Sequence, residues 1–63
     1  MFQRKHYEFI SSALKTERKF LVDCGLSESI AGLDMVATRL SEAFHKDNPR
    51  FDRTRFLEAC NVI

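Results

Sequence analysis

The stretch Phe44–Cys60, F-H-K-D-N-P-R-F-D-R-T-R-F-L-E-A-C, stops one helix, turns the chain and starts another. Asn48-Pro49 is the stop. Proline has no amide hydrogen to donate and its ring drives the preceding residue out of the helical region, so a helix arriving through Phe44 ends near Lys46 or Asp47. Asp52 is placed as the N-cap of the next helix, its carboxylate accepting from the amide of Thr54 or Arg55 and meeting the positive end of the helix dipole. Phe51 before the cap and Phe56 four residues beyond it have the spacing of a hydrophobic staple, which fixes the angle at which the chain enters the helix. Arg55 stands where a Glu or Gln would complete a capping box, so no box is expected there.

Upstream of this corner, Ile30, Leu33, Val36, Ala37, Leu40, Ala43 and Phe44 recur at helical spacing, which predicts a central helix over about 28–46 with Ser27 as its N-cap. Gly32 costs that helix up to about 1 kcal/mol against alanine, offset if a neighbouring helix comes close there. Met35 faces away from the apolar stripe, beside Ala31 and Thr38. Before it, Phe2, Tyr7, Phe9, Ile10, Ala13, Leu14, Phe20, Leu21 and Cys24 share one side of a wheel, with only His6 and Glu17 intruding. This predicts a first helix over about 3–23. Lys15–Lys19 is the place where a polar break would fall, and Lys19–Val22 is the only competitor for a strand. Gly25 suits the left-handed residue that closes the helix, with Leu26 available for the contact that follows. Downstream, a third helix over about 53–61 buries Phe56, Leu57, Ala59 and Cys60 and is too short to persist undocked. The expected fold is all-α: one compact three-helix domain spanning 1–63, with Leu33, Val36, Leu40, Phe44, Phe56 and Leu57 in its core.

Sixty-three residues allow one domain, too small for a deep catalytic cleft. No apolar run approaches the roughly 18 residues of a membrane span and no signal peptide stands at the start, so a cytoplasmic protein is expected. The near-neutral total charge conceals a division. Residues 1–20 hold five cationic side chains against two acidic ones, and residues 21–48 hold five acidic against two cationic. The two longer helices should therefore attract each other weakly across their edges, or together steer a partner. Cys24 and Cys60 lack the spacing of a disulfide framework or zinc site and are expected to be buried thiols.

The pattern F-x-x-D-N-P-R-F-D-x-x-R-F-L-x-A-C from Phe44 to Cys60 resembles the ending of many small uncharacterised helical proteins encoded by bacteriophages and prophages, and Y-x-x-I at Tyr7–Ile10 resembles their start. The resemblance covers about the first and last quarters of the chain. It implies an accessory protein acting in the bacterial host cytoplasm, and it brings no catalytic residues with it.

No chemistry stands out in the chain itself. His6, Cys24, His45 and Cys60 are scattered, with no local pairing of ligands, so no metal and no cofactor is expected. Asp47 with Asp52, or Ser11 with His6, are coincidences of a charged sequence unsupported by any glycine-rich loop, and no enzyme is expected. Two functions compete. The first is a protein-binding module that occupies a host protein, such as a defence complex or transcription component, through Met35 and the basic side of helix 1, with Arg4, Lys15, Arg18 and Lys19. A homodimer is compatible with it, because Phe2, Phe9 and Phe20 are surplus to a small core and a second copy would bury them. The alternative is a helix-turn-helix-like DNA-binding protein using Arg50, Arg53, Thr54 and Arg55 at the basic start of helix 3. The long, proline-containing turn, the short third helix and the balanced charge weigh against it.

Overall fold

The computed structural model describes residues 2–63. Three helices follow one another: α1 (Arg4–Asp23), α2 (Ser27–Asp47) and α3 (Arg53–Ala59). Each packs against both others. Helix α1 runs unbroken through Lys15–Lys19, and there is no strand among the described residues.

The corner forms as its residues dictate. Asn48 leaves the helical region (φ −137°, ψ 101°), as a residue before proline must, while its amide still donates to the Phe44 carbonyl at 2.8 Å. Its side-chain oxygen then accepts from the Arg50 amide at 3.1 Å, and its carbonyl accepts from the Phe51 amide at 2.9 Å, closing the turn. Asp52 caps α3, accepting from the Arg55 amide at 3.0 Å. The staple is present: the Phe51 and Phe56 rings lie 5.6 Å apart between centroids.

Both junctions that end α1 and α3 are Schellman motifs. At the first, Gly25 takes the left-handed conformation (φ 70°), its amide bonds the Val22 carbonyl, and the Leu26 amide reaches back to Leu21. At the second, Asn61 does the same work (φ 64°), with Asn61 donating to Glu58 and Val62 to Leu57. This closes α3 at Ala59, two residues before the boundary read from periodicity, because Asn61 lies outside the helix as its left-handed stop. Ser27 also changes role. The helix starts so soon after Gly25 that Leu26 occupies the cap position and accepts from the Ile30 amide at 3.0 Å, which makes Ser27 the first helical residue and leaves its side chain without a capping bond.

The core is an aromatic cluster at one end of the molecule. Phe44 and Phe56 are buried, their centroids 5.6 Å apart, and Tyr7 and Phe51 stack against them at 4.5–5.6 Å with Phe2 on the edge. Such tilted and edge-on pairs each add about 0.5–1.5 kcal/mol beyond area burial. Ala37 and Cys60 complete the buried set, with Ile10, Leu14, Leu40, Leu57 and Val62 packed around it. Four core expectations need correction: Ala59 is exposed, because α3 meets the core through Phe56 and Cys60, and Leu33 is half-buried outside the cluster. Val36 is 51% exposed, because α2 meets its neighbours through Ala37, Ser41 and Phe44, and Val36 falls on the flank. Cys24 is exposed at the end of α1, whereas Cys60 is buried as expected. The small residues Ser11 and Ser41 lie inside instead, their hydroxyls satisfied within their own helices by the Glu8 and Thr38 carbonyls.

Candidate protein-binding surface

Charge division between the long helices resolves into one bridge. The Arg18 guanidinium donates to both oxygens of Asp34, Nε at 2.8 Å and a terminal nitrogen at 3.2 Å, a bidentate pair joining α1 to α2 in a partly buried position. The hydrogen bond to Asp34 raises the Arg18 pKa above its ordinary value, against the smaller opposing effect of desolvation. Of the basic residues on α1, Arg18 is therefore committed to the fold. Arg4 pairs with Glu8 one turn on, at 3.1 Å and in the open. Lys15 and Lys19 are exposed, sharing a shallow depression with Val22 and Asn61. Met35 is 64% exposed. It follows Asp34 by one residue and so points about 100° around α2 from the bridge, away from α1. Met35 and the α1 lysines thus stand on different helices with the Arg18–Asp34 bridge between them.

The structure brings together residues that belonged to separate readings of the sequence. Arg4, from the start of α1, meets Arg50 and Arg55, from the corner and α3, around a hollow of about 340 Å³. Its apolar lining is the exposed side of the aromatic cluster: Phe2, Tyr7, Phe51 and Phe56. Glu8 and Asp52 sit on the same rim. Among the described residues, neither Arg50 nor Arg55 has an ion-pair partner. The Tyr7 hydroxyl is buried and has no hydrogen-bond partner among the described residues, a deficit worth about 1–3 kcal/mol. Arg53 and Thr54 are exposed on α3 outside this lining. The hollow was invisible in the sequence because Arg4 and Arg55 are far apart along the chain. The contact between Tyr7 and the Phe44–Phe51 corner brings them close.

The other paired side chains have structural tasks. His6 Nδ1 accepts from the Gln3 amide at 3.0 Å at the start of α1, and Ser11 is tied to Glu8, so the two do not form a nucleophile and base. Burial pushes the Cys60 thiol above its ordinary pKa and keeps it protonated. Among the described residues no three His, Cys, Asp or Glu side chains gather as metal ligands, and no helix is long and apolar enough to cross a membrane.

No protein-family model, curated protein or solved structure matches the chain.

Proposed function

We propose that the chain is a small, non-catalytic accessory protein of the phage type that acts by covering a surface on a bacterial host protein. The observation that carries this reading is the basic, aromatic-lined hollow, where among the described residues Arg50 and Arg55 have no ion-pair partner and Arg4 shares its charge with an exposed Glu8. Guanidinium groups over aromatic rings suit an acidic, partly apolar protein segment, since arginine binds carboxylates in a fork while the rings take the apolar contact. Lys15 and Lys19 extend the positive surface along α1 and would steer the approach of such a partner. The resemblance of Phe44–Cys60 to phage-encoded endings is consistent with a role in host takeover or anti-defence in the host cytoplasm.

Nucleic acid is the second reading, because Arg50, Arg53 and Arg55 are exposed around the start of α3. Against it, Asp52 and Glu8 stand on the same rim, and α3 has only seven residues to lay in a groove. Affinity capture from host lysate, comparing the parent with an Arg50→Glu/Arg55→Glu variant that keeps its circular dichroism, separates the two. The protein reading requires a partner that the variant loses. A DNA duplex retarded by the parent at moderate salt and released steeply as salt rises would replace it.

A further inference from the structure

The side of α1 turned away from α3 carries a second surface, distinct from the hollow. Arg4, Glu8 and Ser11 face α3 across the hollow. Phe9, Ala13, Thr16 and Phe20 fall on a stripe turned some 100–180° from them, where Phe9 is 76% and Phe20 57% exposed. On α2 a second stripe runs through Leu33, Val36, Leu40 and Ala43, on the flank away from Asp34; Val36 and Ala43 are exposed, while Leu33 and Leu40 are half-buried and Leu40 also packs against the core.

We propose that these two stripes pair with the same two stripes of a second copy, related by a two-fold axis that sets α1 antiparallel to its own copy and α2 to its own. The reason lies in the order of residues. The α1 stripe, with intervals of four, three and four, sets large Phe9 and Phe20 at its ends and small Ala13 and Thr16 between them, so it reads the same from either end, and the α2 stripe, with intervals of three, four and three, is symmetric in its spacing. A two-fold axis across each stripe places Phe9 on Phe20 of the second copy and Ala13 on its Thr16, with large residues outside and small ones at the crossing. On α2 it places Leu33 on Ala43 and Val36 on Leu40. One axis serves both stripes. Tyr7 lies level with Phe44 and Arg18 with Asp34, so the α1 midpoint, between Leu14 and Lys15, lies level with Ala37 and Thr38, where the α2 midpoint falls. Self-complementarity of this kind is what an isologous interface demands and what a foreign partner has no need of.

The charges on α1 agree. Lys5 and Asp23 lie about 50° to the same side of the α1 stripe, and the two-fold axis brings Lys5 of each copy beside Asp23 of the other. Glu17, about 70° to the other side, is the one charge beside the α1 stripe with no opposite charge brought to it, and on α2 Arg39, about 80° from the stripe, comes beside Arg39 of the other copy.

Sedimentation of the full chain up to about 0.5 mM should show a reversible dimer. Phe9→Asp and Val36→Asp, on different helices and both at exposed positions, should each give a folded monomer by circular dichroism. Lys5→Glu should weaken the dimer by roughly ten-fold, counting two opposed pairs, and adding Asp23→Lys should restore it to within about three-fold of the parent. Glu17→Gln should tighten it. In a Cys24→Ser background, chains carrying Ala13→Cys mixed with chains carrying Thr16→Cys should form the mixed disulfide in preference to either homodimer. A parent that stays monomeric throughout overturns the proposal and gives the face to another partner. Homodimeric Ala13→Cys linkage, a charge swap that fails to rescue, or a weaker dimer in Glu17→Gln overturns the antiparallel geometry. The hollow lies elsewhere on the chain, so loss of the dimer with host binding retained, or the reverse, tells the failure of this inference from failure of the proposed function.

Discussion

Truncating Phe56 to alanine removes the side chain that joins α3 to the rest of the molecule. The ring is 4% exposed and lies 5.6 Å from both Phe44 and Phe51. Deleting a buried phenylalanine costs about 3–5 kcal/mol, the transfer energy plus the cavity left behind. At about 0.05–0.15 kcal/mol per residue, a domain of 63 residues has roughly 3–9 kcal/mol in total. The variant should therefore lose from about a third to all of its stability. With about 4–8 °C per kcal/mol at this size, its melting midpoint should fall by roughly 12–40 °C, or the cooperative transition should vanish. Phe9→Ala removes the same atoms from an exposed position, and its effect on the fold should stay within about 0.5 kcal/mol. Thermal melts followed by far-ultraviolet circular dichroism, at one chain concentration low enough to keep every protein monomeric, provide the comparison. If Phe56→Ala melts with the parent, or Phe9→Ala proves as damaging, α3 does not dock through the aromatic cluster.

Asp52→Ala should cost about 1 kcal/mol and lower the melting midpoint by several degrees, while Asp52→Asn, which still offers an acceptor to the Arg55 amide, should keep most of it. Gly25→Ala should destabilise by about 1 kcal/mol through backbone conformation alone, since nothing lies within 4 Å of an added Cβ, whereas Asn61→Gly at the equivalent position of α3 should be neutral or better in the same melts. Toward a thiol reagent, exposed Cys24 should be modified at once and buried Cys60 only as the fold opens, read by mass spectrometry over time. Because burial holds the Cys60 proton in the folded chain, an unfolded chain releases it first as pH rises past the ordinary thiol range. This proton release should lower stability on the alkaline side and vanish in Cys60→Ala, seen as a flatter alkaline limb in denaturant titrations.

Most of the local chemistry was legible in the sequence, with Ser27 the exception because Leu26 takes the cap position of α2. The proline stop, the Asp52 cap, the Phe51–Phe56 staple and the Gly25 turn each depend on a few adjacent residues, and each stands where it was read. What periodicity could not decide was which side of an apolar stripe faces inward. On α2, Val36 and Ala37 belong to the same broad stripe. The choice fell to Ala37 because small residues allow closer helix approach, which also drew in Ser11 and Ser41. Asn61 was read as helix because its left-handed conformation needs the following Val62 to pack back toward Leu57, a tertiary contact. The hollow had no sequence signal at all beyond its arginines, since its rim is assembled from α1, the corner and α3.

The aromatic cluster has a kinetic side. The molecule is 35 Å long and only 18 by 15 Å across, and the five rings gather toward the end where α1 begins and α2 finishes. At the opposite tip, where Gly25 joins the two long helices, Phe20, Val22 and Leu26 are exposed and the Arg18–Asp34 bridge is the nearest polar clasp. Amide protons there should trade with solvent through small openings that leave the rings in place, while those beside Phe44 should wait for the whole domain to come apart. The hairpin is thus built like a tweezer held at its hinge, with one end free to breathe on a time scale that the other does not share.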